Sequence, residues 1–194
     1  MQSISVLTIN KEPESEQDLV KIAEGAIRYF HTGTSNDVMY LGKLSLDHDV
    51  KVATSQECLG AFLFKTLIRR IRRLRDSYRA TNFWLGMTPD PVVDMYCFLE
   101  GTHLKRASYL VHDYMTEAVG IASLFRVNEG FSSKIVAHGL GHSRGLLHHA
   151  DPIDLMYSEL LDASKLKVEG FCKLCSCKLT RTKKLTGPML RWKL

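Results

Sequence analysis

The sequence predicts an α/β protein: a mixed, mostly parallel twisted sheet packed with helices. Three observations lead there. Strand-like and helix-like stretches alternate along the 194 residues, as they do when helices cover a sheet. Residues 3–9 carry Ile4, Val6, Leu7 and Ile9, apolar on both faces, as a strand covered from both sides requires. The helix-like stretches each carry a single apolar stripe. Hydrophobic residues make up 45% of the chain, enough for a packed core. No apolar run reaches the roughly 20 residues that a membrane span needs. A single domain is expected over 1–194, with a sheet-and-helix part up to about residue 130 and a remainder rich in His and Cys.

The elements follow in order. After strand 3–9, Glu12-Pro13-Glu14 breaks the chain. Ser15 is placed to cap a helix over 15–30, with Asp18 as a weaker capping-box partner. Leu19, Ile22, Ala23, Ala26, Ile27 and Phe30 form its apolar face. A turn over 32–37 leads to a strand over 38–46, and Asp47-His48-Asp49 reads as a solvated turn. Ser55 is expected to cap the next helix, which runs to Leu74 with Leu59, Phe62, Leu63, Leu67 and Ile71 facing inward. Its outer face carries Arg69, Arg70, Arg72, Arg73 and Arg75. Basic residues without interleaved aromatics read as a solvated face rather than a nucleic-acid platform.

Strands are expected over 82–88 and 92–99, separated by Pro89-Asp90-Pro91. Cys58 and Cys97, each in apolar surroundings, are expected in the core. Residues 100–103 form a turn and 108–114 an edge or hairpin segment, with His103 and His112 read as ordinary histidines. A strand over 117–127 is linked by Asn128-Glu129-Gly130 to the next helix. The tail after Cys177 reads as irregular.

Four of the chain's eight histidines fall at 138, 142, 148 and 149. His138 and His142 are four residues apart, so on a helix they share one face. Gly145 suits a left-handed turn that ends the helix, after which the chain can bring His148 back as a third donor. Three neutral imidazoles with one open position form a catalytic zinc set. Farther on, Cys172-x-x-Cys175 is half of a second metal site.

The pattern His138-x-x-x-His142-x-x-Gly145-x-x-His148 followed by Met156 resembles the metzincin zinc peptidases. With donors at 149 and 154 and the Cys pair after them, the C-terminal third resembles the archaemetzincins more narrowly. That resemblance implies a metzincin-like fold, two zinc ions per chain, and peptide or protein substrates. It implies His138, His142 and His148 on the first zinc. On the second it implies His149, Asp154, Cys172 and Cys175; from the residues themselves, Cys177 competes as an alternative ligand and Asp151 competes with Asp154. Met156 would be the Met-turn, and the region 108–123 the cleft rim that pairs with an extended peptide.

Two positions depart from the pattern. Archaemetzincins carry Cys at the positions of His149 and Asp154, though His and Asp are competent zinc ligands. More consequentially, Gly139 stands where metzincins carry the general-base Glu. A His₃ zinc would still acidify water to a pKa of about 7, but a positioned base contributes about 10²–10⁴-fold. Glu129, Glu169 and His112 are the substitute candidates. Glycines at 139 and 141 also weaken the helix, and restoring Glu at 139 is expected to leave the fold stable.

The leading reading is therefore a metallopeptidase. The alternative is a non-catalytic zinc protein that holds extended peptides, and the weaker one a nucleic-acid-associated factor using the basic face. Five cysteines without a disulfide-like spacing, and an N-terminus without a signal-peptide pattern, point to the cytoplasm. The net charge of +5 is mild. A monomer without membrane or nucleic-acid partners is expected.

Overall fold

A computed structural model describes residues 3–10, 16–30, 38–53, 57–158, 160 and 168–182. The Ser15 and Ser55 caps, the 32–37 turn and the tail beyond 182 lie outside these residues. The main sheet has five strands in the order β2-β1-β5-β9-β8. They are β1 (Ile4–Ile9), β2 (Val38–Leu44), β5 (Phe83–Thr88), β9 (Val119–Ser123) and β8 (Asp113–Met115). All neighbours are parallel except β8, which runs antiparallel to β9 at one edge. The mixed, mostly parallel sheet expected from the sequence is this one.

β1 shows why it is central. All six of its residues are buried, and its alternation sends side chains into two cores. Ile4 and Val6 pack with Leu19, Ala23 and Ala26 of α1 (Glu16–Arg28) and with Val136, Ala137 and Leu140 of α3 (Glu129–Ser143). Leu7 and Ile9 pack with Leu67 and Ile71 of α2 (Phe64–Ser77) on the opposite face. Helices thus cover both faces of the main sheet.

A second sheet, order β3-β4-β6-β7, consists of β3 (Val50–Ala53), β4 (Cys58–Leu63), β6 (Val92–Glu100) and β7 (His103–Leu110). Its presence corrects the expected helix from Ser55. Residues 58–63 form β4, and the helix begins only at Phe64. Leu59, Phe62 and Leu63 fit either period, and pairing with β3 and β6 decides for the strand. Gly60 supports that pairing, because the His48 ring fills the space its side chain would need.

Other expectations need revision too. Cys58 and Cys97 are exposed rather than in the core. Cys97 sits on the β6–β7 hairpin, where burial ends after Val93. The strand expected over 117–127 is confined to Val119–Ser123, entered through a turn in which the Thr116 hydroxyl accepts from the Val119 amide. Glu129 and Gly130 are not linkers. Asn128 caps α3, its side chain accepting from the Gly130 amide, and Glu129 opens the helix. The tail is not irregular at once after Cys177, because α4 runs from Lys173 to Thr182.

Candidate metal centres and cleft

α3 is buried from Ile135 to Gly141, so His138 projects into the interior, and His142 follows half-buried at the end of the helix. It ends at Gly145, whose φ of 78° favours glycine. The Gly145 amide donates to the His142 carbonyl and the Leu146 amide to Gly141, a Schellman-type stop that turns the chain back. That reversal brings His148 to the two helical histidines. The three Nε2 atoms form a triangle with edges of 2.9 Å (138–142), 3.0 Å (138–148) and 3.0 Å (142–148).

Carbonyls set the tautomers. His138 Nδ1 donates to Leu155 O at 2.7 Å and His142 Nδ1 to Leu146 O at 3.0 Å, leaving their Nε2 lone pairs pointing inward. Two lone pairs facing each other at 2.9 Å repel, and a cation between them resolves the conflict. Three nitrogens about 2.0–2.1 Å from one zinc stand at comparable separations, so the donor set fits the metal. Burial pushes His138 down to about 4. Burial, then His138, also lowers His142. Both rings are held neutral, the form that ligates.

The second cluster gathers His149, Asp154, Cys172 and Cys175. His149 Nε2 lies 3.0 Å from Asp154 Oδ2, 3.7 Å from Cys172 Sγ and 3.4 Å from Cys175 Sγ. This nitrogen, oxygen and two-sulfur set also suits zinc. Asp154 is buried, which works against its charge. Donors from Cys172 and the Met156 amide outweigh burial and hold its pKa below the ordinary carboxylate range. Burial, then the Asp154 charge, pushes the Cys175 thiol up to about 12. The alternative ligands lie elsewhere: Cys177 is exposed, and Asp151 Oδ1 accepts from the Ile153 amide.

The three histidines line a cleft of about 360 Å³ whose other wall includes Tyr109, His112, Asp113 and Tyr114. Met156 is fully buried, and its sulfur occupies the space a Cβ at Gly141 would need. Of the substitute bases expected from sequence, Glu129 and Glu169 are exposed, Glu129 in the first turn of α3 and Glu169 on a separate cleft beside Asp154. His112 does line the cleft, its Nδ1 3.3 Å from Ser123 O, and burial lowers its pKa.

Gly139 is not open space. A Cβ there would stand 2.7 Å from Asp113 Oδ2, 2.8 Å from Met115 Cε and 2.9 Å from Met115 Cγ. The expectation that Glu fits at 139 without loss of stability is therefore corrected. Asp113 was missed from sequence. Its signal was modest: it is the one carboxylate in the apolar and aromatic stretch 108–114. Burial pushes its carboxyl up to about 6.

The arrangement of sheet and helices recurs among solved structures. An archaemetzincin from Methanopyrus kandleri is 18% identical, with a TM-score of 0.52 over 94% of this chain and 96% of its own. The fold is that of the archaemetzincins. An archaemetzincin from Archaeoglobus fulgidus, complexed with malonate, gives 16% identity and a TM-score of 0.54 over 92% of this chain and 99% of its own. A zinc-dependent peptidase from Methanocorpusculum labreanum gives 16% and 0.55 over 91% and 100%. No protein-family model matches the sequence, and no curated protein does. In this archaemetzincin fold, no helix among the described residues is long and apolar enough to cross a membrane.

Proposed function

We propose that the chain is a zinc-dependent peptidase of archaemetzincin type that hydrolyses peptide bonds. The observation that carries this reading is the convergence of three Nε2 atoms in a cleft beside a sheet edge. His138, His142 and His148 would hold a zinc ion, which when bound supplies a Lewis acid for the scissile carbonyl and acidifies water. The carbonyls of Leu155 and Leu146 keep two of these rings in the ligating tautomer. β8, at the end of the strand order, would hold an extended substrate by main-chain pairing. Tyr109, Leu110 and Tyr114 supply apolar surface for its side chains. Met156 forms the apolar floor as the Met-turn.

The second cluster would hold a structural zinc that pins α4 to the loop after α3, giving two ions per chain. Five cysteines without a disulfide suit a reducing, cytoplasmic setting. Zinc-loaded protein, incubated with unstructured peptides and followed by mass spectrometry, should yield defined fragments that His148→Ala abolishes.

Gly139 supports a second reading, a zinc protein that binds extended peptides without cutting them. Retention of intact peptide by the zinc-loaded protein, with no fragments, would favour it. The nucleic-acid reading loses ground, because two arginines of the basic face serve the fold. Arg70 pairs with Asp49 at 2.7 Å, and Arg75 Nε donates to Asn82 O at 2.9 Å.

A further inference from the structure

We propose that Asp113 is the general base of this site, delivered from strand β8 across the gap left by Gly139. The inference rests on the peptidase reading and names the group that reading lacks. Strand alternation turns Asp113 and Met115 toward α3, where both meet the position of a Cβ at 139. Tyr114, between them, instead meets Phe64, the two rings tilted with centroids 5.0 Å apart. The side of the helix from which a metzincin glutamate would start is thus filled by a carboxylate from the neighbouring strand. A Glu at 139 and this Asp113 compete for the same volume, so the glycine and the aspartate make sense only together.

Asp113 Oδ2 is buried and has no hydrogen-bond partner among the described residues. A polar atom in that state destabilises the fold, and structural packing gives no return for it. It lines the same cleft as His138, His142 and His148, yet it stands outside the compact group of metal donors. That placement suits a base rather than a fourth ligand. Glu129 and Glu169 are exposed and do not line this cleft. His112 lines it, but its Nδ1 faces Ser123 O and it does not meet the vacant side of α3.

In the step, the Asp113 carboxylate takes one proton from the attacking water as the water oxygen bonds to the scissile carbonyl carbon. The carbon–nitrogen bond then breaks, and Asp113 returns that proton to the departing amine. The products are one carboxylic acid and one amine, and Asp113 ends as it began.

Asp113→Asn tests this in the full chain with both metal sites loaded. Cleavage of an unstructured peptide should fall about 10²–10⁴-fold in kcat, with KM, zinc content and melting temperature close to the parent's. A fall of less than about threefold overturns the proposal, because general-base contributions are far larger. Loss of zinc from the histidine site also overturns it, by making Asp113 a ligand. A second measurement does not need turnover. With cobalt(II) in the histidine site and zinc in the cysteine cluster, the visible spectrum is followed against pH. Removing the Asp113 carboxylate from the cleft that the three histidines line should move the spectral transition by about one pH unit or more. If the parent cleaves no peptide, the peptidase reading fails, and this spectrum judges Asp113 alone. A transition at the same pH in parent and Asp113→Asn overturns the inference. Should Asp113→Asn fold poorly, Asp113→Ala combined with Gly139→Glu returns a carboxylate from the helix side. Recovery of cleavage there supports the proposal, and failure to exceed Asp113→Ala alone counts against it.

Discussion

Gly139→Glu restores the metzincin motif on paper, and the structure says it will harm the protein. A Cβ at 139 meets Asp113 Oδ2 at 2.7 Å and Met115 Cε and Cγ at 2.8 and 2.9 Å. Met115 is itself buried against β9, its sulfur in the space above Gly120, so it has little room to retreat. Forcing atoms into a packed site costs about 1–3 kcal/mol. A second carboxylate beside Asp113 adds like-charge repulsion in a desolvated place. Against this, replacing glycine in a helix gains at most about 1 kcal/mol. The balance is a loss of about 2 kcal/mol. For a chain of 194 residues, that is a drop of roughly 4–8 °C in melting temperature, at about 2–4 °C per kcal/mol. Thermal unfolding of parent and variant at equal free zinc reads it directly. Adding Asp113→Ala should recover part of the loss, since one of the three clashing atoms goes. A Gly139→Glu variant that melts with the parent would show that the packing argument is wrong.

Three further outcomes follow from the same geometry. In zinc-free protein, Asp113 has a folded pKa of about 6 against 3.8 unfolded, so it stabilises at low pH and that contribution is lost as pH rises through 6. The amount is on the order of 3 kcal/mol. His138, down from 6.5 to about 4, acts oppositely, losing stability as pH falls through that range. Urea unfolding between pH 4 and 7 should therefore fall more steeply toward acid for Asp113→Asn than for the parent, because the histidines' loss is no longer offset; parallel curves would refute this. Elemental analysis should give about two zinc ions per chain, falling to about one in the Cys172→Ser/Cys175→Ser variant, in line with one three-histidine and one four-donor site. Cys172→Ser should lower the melting temperature more than His148→Ala, because the cysteine cluster ties α4 to the core while His148 is exposed. The reverse order would contradict that division.

The parts of the molecule written in local patterns were readable from sequence. His138 and His142 are one helical turn apart, Gly145 needs its left-handed φ, and β1 carries apolar residues on both faces. None of these depends on distant chain. β4 was misread because six apolar-rich residues satisfy both periods, and only pairing with β3 and β6 decides between them. Asp113 was missed for a related reason. Its meaning comes from an antiparallel edge strand laid beside a helix some 25 residues later in the chain, and a sequence read segment by segment contains no such neighbour. Gly139 and Gly141 were legible only as weak helix formers, whereas the structure uses both as places for other side chains.

Residues 154–156 touch both clusters. Asp154 belongs to the second, while its Oδ1 accepts from the Met156 amide and the next carbonyl, Leu155 O, accepts from His138 Nδ1. The Leu155 amide in turn donates to Gly170 O, two residues before Cys172. Whatever stiffens the second cluster therefore also fixes the acceptor that aims His138. Were both clusters to hold zinc as proposed, filling one would lower the ordering cost of filling the other, and reciprocity would make the gain equal in both directions. At half-saturating zinc, chains holding a single ion would then be fewer than two independent sites would give. Metal supply would then act on this protein as a threshold rather than a dial.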